Sequence, residues 1–203
     1  MIAVIDYGVG NLFSLSSSLA YLGLDNKVTS RAEDLQAADR LILPGVGAFG
    51  DAAAKLRESG LFEVVKQQAA AGKPLLGICL GMQLLFEKST EYGEHEGLGL
   101  IPGTVEALRP DLADQSLKVP HIGWNSLQII KDDPLFRYIQ PGDYVYYVHS
   151  FYAKNCAANT LAVSDYSIPV TGVVRAGSVY GTQFHPEKSG EVGLNLLKAF
   201  AEL

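Results

Sequence analysis

The sequence predicts an α/β fold: a mostly parallel central sheet flanked by helices, with an antiparallel extension in the C-terminal half. Three observations predict it. Short apolar runs such as Ile2–Ile5, Arg40–Leu43 and Leu75–Ile78 alternate with helical segments, the pattern of a parallel sheet covered on both faces. After about Gly97 the segments become shorter, aromatic and β-branched, as antiparallel hairpins require. No repeat, low-complexity tract or linker interrupts the 203 residues, so residues 1–203 are read as one domain, long enough to bury roughly 70% of its unfolded surface.

Taken in order, Ile2–Ile5 is a buried strand ending at Asp6-Tyr7-Gly8-Val9-Gly10-Asn11, after which Leu12, Leu15, Leu19 and Leu22 recur on one helical face. A short strand follows at Lys27–Thr29, then an acidic turn at Glu33-Asp34 and a third strand at Arg40–Leu43. Helical segments Asp51–Ser59 and Leu61–Ala71 are separated by Gly60 and closed by Gly72, a residue suited to a left-handed helix end. Leu75–Ile78 is the fourth strand, and Leu80–Phe86 has the composition of a helix. Strands are then expected at Ile101–Ala107, Ser126–Ile130, Asp143–Val148, Leu161–Val163, Val170–Arg175 and Val179–Phe184. A last helix begins near Glu191, with Val192, Leu196, Ala199, Phe200 and Leu203 on one face.

Composition narrows the function classes. With 22 acidic against 16 basic residues and a net charge of −6, and no Lys/Arg run, a groove that tracks phosphates is disfavoured and no nucleic acid is expected. No apolar run approaches the ~18 residues of a membrane helix. The opening Met1-Ile2-Ala3-Val4 has no basic stretch or cleavage site, so the chain reads as cytoplasmic, with Cys79 and Cys156 as free thiols.

Cys79 falls between an apolar strand and a helix, with Gly77 and Gly81 two residues to either side. That is the G-x-nucleophile-x-G spacing, in which absent side chains let a sharp turn close. The first amides of the following helix then point at the sulfur and favour negative charge there. A buried core cysteine is the bland alternative. A nucleophilic cysteine needs a base, and the base an orienting acceptor. Of the four histidines, His185 ends an apolar strand and precedes Pro186 and Glu187; proline keeps His185 extended, so Glu187 can lie beside the imidazole. An exposed turn is the alternative for His-Pro-Glu alone.

Gly45, Gly47 and Gly50 match G-x-G-x-x-G after a strand, but the next strand ends at Cys79 where a dinucleotide site wants an acidic residue. A better use of this loop is an oxyanion hole, one N–H from Leu80 and one from the Val46-Gly47 segment. No histidine pair has metal-ligand spacing, so neither metal nor cofactor is expected.

The order of these pieces resembles the class I (triad) glutamine amidotransferases, whose fold is flavodoxin-like. The likeness covers nearly the whole chain. Asp6-Tyr7-Gly8-Val9-Gly10-Asn11-Leu12, Pro44-Gly45-Val46-Gly47, Gly77-Ile78-Cys79-Leu80-Gly81-Met82-Gln83, Gly97-Leu98-Gly99-Leu100-Ile101-Pro102-Gly103, Pro120-His121-Ile122-Gly123-Trp124-Asn125 and Val148-His149-Ser150-Phe151-Tyr152 carry it. Most such enzymes have Pro-Gly-Gly where this chain has Pro44-Gly45-Val46. The resemblance implies that Cys79 attacks the side-chain amide of glutamine, His185 protonates the leaving ammonia and Glu187 orients His185. It also implies that Gln83 and the main chain at Gly47, Ser150 and Phe151 hold the substrate. Within the family the likeness is to glutaminase subunits of histidine biosynthesis, in a heterodimer whose overall reaction is a lyase's. These pass ammonia to a separate (β/α)₈ cyclase that makes imidazole glycerol phosphate and an aminoimidazole ribonucleotide. His121, Trp124, Asn125, Tyr146 and Lys188 match positions at the subunit interface or tunnel mouth, whereas without the family pattern Trp124 and Tyr146 read as core aromatics. Competing readings are a glutaminase of pyridoxal phosphate synthesis, a γ-glutamyl hydrolase, or a binding subunit that has lost its chemistry.

Overall fold

A computed structural model describes residues 1–203. Its first half follows the apolar pattern: β1 (Ile2–Ile5), α1 (Leu12–Tyr21), β2 (Asn26–Thr29), α2 (Ala32–Ala37), β3 (Arg40–Leu43), α3 (Phe49–Glu58), α4 (Leu61–Ala70), β4 (Leu75–Ile78) and α5 (Leu80–Leu84). The remainder is β5 (Phe86–Ser89), β6 (His95–Glu96), β7 (Ile101–Ala107), β8 (His121–Ser126), β9 (Gln128–Ile129), β10 (Tyr144–His149), β11 (Phe151–Lys154), β12 (Thr160–Asp165), β13 (Pro169–Ala176), β14 (Val179–Thr182) and α6 (Gly190–Ala201).

The main sheet has the order β2-β1-β3-β4-β14-β13-β12-β9. Alternation along each strand divides its side chains between two cores: Leu41 and Leu43 join the core under α3 and α4, while Ile42 joins the one that contains Leu196 and Phe200 of α6. Burial of a leucine of this kind is worth about 1.5–3 kcal/mol, and both faces of the sheet are closed by it. No helix is long and apolar enough to cross a membrane.

Four expectations need correction. Glu33 and Asp34 do not form a turn but the first turn of α2, where carboxylates suit the positive end of the helix dipole and Leu35 is buried. The helix after Cys79 stops at Leu84, because Phe86 pairs with Ile101 and starts β5; tertiary pairing outweighs local propensity. The C-terminal strands do not all extend the main sheet. β13, β12 and β9 do, by antiparallel pairing, but β11-β7-β5-β6 form a separate sheet and β8-β10 a two-stranded ribbon. Finally, β14 is not a hairpin partner only: it inserts parallel to β4, with Thr182 opposite Ile78.

Candidate active site

The β4–β14 register brings the two halves of the site together. Ile78 and Thr182 are paired, and the Cys79 N–H donates to the Thr182 carbonyl at 2.7 Å. The chain therefore leaves both strands at the same edge, Cys79 from one and Gln183 to His185 from the other. This is the carboxyl edge of the parallel strands, where ligands sit in such sheets.

Cys79 itself has φ 54° and ψ −112°, a conformation that costs a non-glycine residue about 1–3 kcal/mol. Its neighbours explain how the turn persists. A Cβ on Gly81 would stand 1.9 Å from the Leu43 carbonyl oxygen, and one on Gly45 would stand 2.6 Å from the Gly81 nitrogen. Backbones of β3, the Pro44 loop and α5 thus touch directly, and only glycine permits it. Tyr7, at the end of β1, fixes the same loop by donating its hydroxyl to the Pro44 carbonyl at 2.8 Å; burial and the nearby cysteine push the Tyr7 phenol up. Of the dinucleotide-like glycines, Gly45 and Gly50 are accounted for by close approach, a Cβ on Gly50 meeting the His95 ring at 2.7 Å, and Gly47 by its positive φ.

His185 is extended, at φ −96° and ψ 100°, but Pro186–Lys188 turns into a 3₁₀ helix rather than continuing extended. The turn still delivers Glu187, whose Oε1 lies 2.8 Å from His185 Nδ1, both side chains being 3% exposed. Nε2 of His185 is buried without a hydrogen-bond partner. Burial alone would lower the imidazole pKa, but the nearby Cys79 sulfur and the hydrogen-bonded Glu187 carboxylate outweigh it and raise it to about 9. An imidazolium braced by a carboxylate is a proton donor at neutral pH. The main chain of His185 is held as well: its N–H donates to the Tyr146 carbonyl at 3.0 Å, and its carbonyl accepts from Ser189 Oγ at 2.6 Å.

A cavity of about 400 Å³ is lined by Cys79, His185, Leu80, Val46, Gly47, Gln83, Ser150 and Phe151, together with Glu91, Pro120, Val148 and His149. Every sequence-predicted catalytic, oxyanion and substrate residue except Glu187 therefore faces one space, and Glu187 is one hydrogen bond behind it. Gly47 has φ +94°, a backbone that glycine adopts without strain. Gln83 is buried and donates to the Phe151 carbonyl and to Gln183 Oε1, each at 3.0 Å. Gln183 Nε2 then reaches the Cys79 sulfur at 3.8 Å.

Gln183 and Glu91 were not singled out by sequence. Gln183 has a signal in hindsight, a fully buried amide directly after an apolar strand. Glu91 brings the cavity's one carboxylate, anchored by the Phe49 N–H at 2.6 Å, and burial raises its pKa.

Of the residues grouped at a partner surface, Trp124 is 55% exposed, so it is not a core aromatic; it meets Tyr146 edge-on across the ribbon, with centroids 6.0 Å apart. Lys188 is exposed, and Tyr146 and Asn125 are half-buried. His121 differs from the others at only 3% exposed, because its ring is stacked between Tyr147 and Tyr166. Cys79 and Cys156 are both free and buried, and no group of three or more His, Cys, Asp or Glu is placed to hold a metal ion.

The chain matches the class-I glutamine amidotransferase family over residues 3–202. It is 51% identical over 203 residues to the imidazole glycerol phosphate synthase subunit HisH of Listeria monocytogenes serotype 4b (strain F2365), covering 100% of this chain and 96% of that relative. It is 50% identical over 204 residues to the subunit of the same name from Caldanaerobacter subterraneus subsp. tengcongensis, covering 100% and 98%. Among solved structures, a glutamine amidotransferase superposes with TM-score 0.76 at 22% identity over 100% of this chain and 99% of its own. PurLQS from Thermotoga maritima gives 0.76 at 21% over 99% and 97%, and these two likenesses speak for the fold.

Proposed function

Because the chain belongs to the class-I glutamine amidotransferases, we propose that Cys79, His185 and Glu187 hydrolyse glutamine as the glutaminase subunit of an imidazole glycerol phosphate synthase in histidine biosynthesis. The observation that carries the reading is the single cavity in which Cys79 and the Glu187-braced His185 meet. The Cys79 sulfur attacks the side-chain amide carbon of glutamine. The C–N bond breaks, and the nitrogen leaves as ammonia with a proton from His185. Water then attacks the glutamyl thioester, releasing glutamate and the sulfur. The N–H groups of Leu80 and of the Val46-Gly47 segment receive the oxyanion that forms in both steps. Gln83 and the main chain at Gly47, Ser150 and Phe151 hold the substrate, and the Glu91 carboxylate suits its α-ammonium group. The whole chain acts as one domain. Its own step is an amide hydrolysis, so the lyase class does not apply to it.

The relatives are named as subunits, which supports a partner in a heterodimer. We place it as a (β/α)₈ cyclase that receives the ammonia, docked on the face that carries Trp124, Asn125, Tyr146 and Lys188. Support comes from an exposed apolar strip on the same ribbon, Ile122 at 59%, Trp124 at 55% and Tyr144 at 59%, larger than scattered surface residues need to be. The test is glutamate release by the purified chain, alone and then with the cyclase and its ribonucleotide substrate, with Cys79→Ala as the blank. Activity lost in Cys79→Ala while synthesis from ammonium salt persists is the expected result. Loss of both activities in an assembled complex would refute the division of labour.

A further inference from the structure

Behind the Phe151 carbonyl lies a row of polar side chains that the hydrolytic steps do not use. His149 Nδ1 is 2.9 Å from that carbonyl, His149 Nε2 is 3.0 Å from His121 Nδ1, and His121 Nε2 is 3.3 Å from the Asn125 amide nitrogen. The same nitrogen donates to the Asp165 carbonyl at 2.8 Å, and Asn125 Oδ1 accepts the Ser126 N–H at 2.8 Å.

Every proton in this row is fixed by its ends. A carbonyl only accepts, so His149 Nδ1 carries hydrogen. Burial pushes His149 down to about 3 and His121 to about 4, so both rings are neutral and His149 Nε2 must accept from His121 Nδ1–H. His121 Nε2 must then accept from Asn125. The amide cannot be turned round, because Asp165 demands a donor on one side of it and Ser126 an acceptor on the other.

We infer that His149, His121 and Asn125 form a one-directional relay of positioning residues that holds the Phe151 carbonyl, and through it Gln83, in place in the glutamine cleft, both imidazoles being fixed as Nδ1–H tautomers. The geometry around the relay supports this. Phe151 O takes Gln83 Nε2 and His149 Nδ1 at once, so its position sets that of Gln83. His121 is clamped between Tyr147 at 4.7 Å and Tyr166 at 4.0 Å between ring centroids, which leaves its in-plane nitrogens free only along the row. The role in substrate holding rests on the glutaminase reading; the tautomers do not.

The test is two-bond ¹H–¹⁵N correlation on the full chain labelled in histidine, beside glutaminase kinetics of Asn125→Asp and His121→Phe. Wild type should show two neutral Nδ1–H rings, absent one at a time from His121→Phe and His149→Phe spectra. Asn125→Asp should drive His121 to its Nε2–H or cationic form and, with partner saturating, raise KM for glutamine roughly tenfold, the weight of about one buried hydrogen bond. Nε2–H rings in wild type would overturn the relay even if no variant folds, and so would a folded Asn125→Asp chain with unchanged KM. A wild-type chain that releases no glutamate with its partner would refute the glutaminase reading instead, leaving the spectra to judge the tautomers.

Discussion

His185, just after β14, and His149, at the end of β10, line the same cleft, and both are nearly inaccessible, at 2% and 5% exposed. Their protons nevertheless behave in opposite ways. His185 has a carboxylate on Nδ1 and the cysteine nearby, and its pKa rises to about 9. His149 has a neutral carbonyl on Nδ1 and a second imidazole on Nε2, and burial lowers it to about 3. Burial penalises charge at both; only a countercharge reverses the outcome. One histidine is therefore built to hold a proton, and the other to hold shape.

The comparison breaks most severely when the countercharge is removed. Glu187→Gln should leave His185 with only Cys79 to favour its charge, and turnover should fall by about 10³ in glutaminase assays, against near-complete loss in Cys79→Ala. Equal losses in the two folded variants would show that Glu187 does more than orient.

Stability against pH sharpens the same contrast. His149 and His121 have folded pKa values of about 3 and about 4, below the ordinary 6.5 or so, so the unfolded chain binds more protons. Their stabilisation is complete above pH ~6.5 and lost as pH falls toward 4, by about 3 kcal/mol for each ring in denaturant titrations. His185 has the opposite sign, with a folded pKa of about 9. Its contribution is complete below pH ~6.5 and lost as pH rises through about 9, by roughly 3 kcal/mol, and Glu187→Gln should shrink this alkaline limb, leaving the part that Cys79 sustains. The smallest effect is at the outer face of the ribbon. Trp124→Ala should change the stability of the isolated chain by less than about 0.5 kcal/mol while weakening partner binding by about 2 kcal/mol in calorimetry.

How far these features are legible in the sequence depends on whether they are local. The bounds of β1, β3, β4 and β7, the Gly77-Cys79-Gly81 elbow and the His185-Pro186-Glu187 turn are written in contiguous residues, and periodicity or glycine spacing exposes them. β8 and β11 show in the sequence only as motifs: Gly123 and mixed polarity hide β8, and β11 is defined by pairing with the distant β7. The His149–His121 contact is set by β8–β10 pairing, with His149 opposite His121, and no local pattern announces such a register. Gln183 and Glu91 were missed for the same reason: a buried amide or carboxylate acquires meaning only from what folds around it.

The place of β14 in the sheet has a temporal meaning as well as a spatial one. This strand lies between β4 and β13, although it is the last to be made. While a ribosome is still extending the chain, Cys79 emerges long before His185, and the middle of the sheet stays open until Val179–Thr182 is available to close it. On the proposed mechanism a nascent or prematurely terminated chain thus carries a thiol without a base, and competence to consume glutamine waits for the last strand.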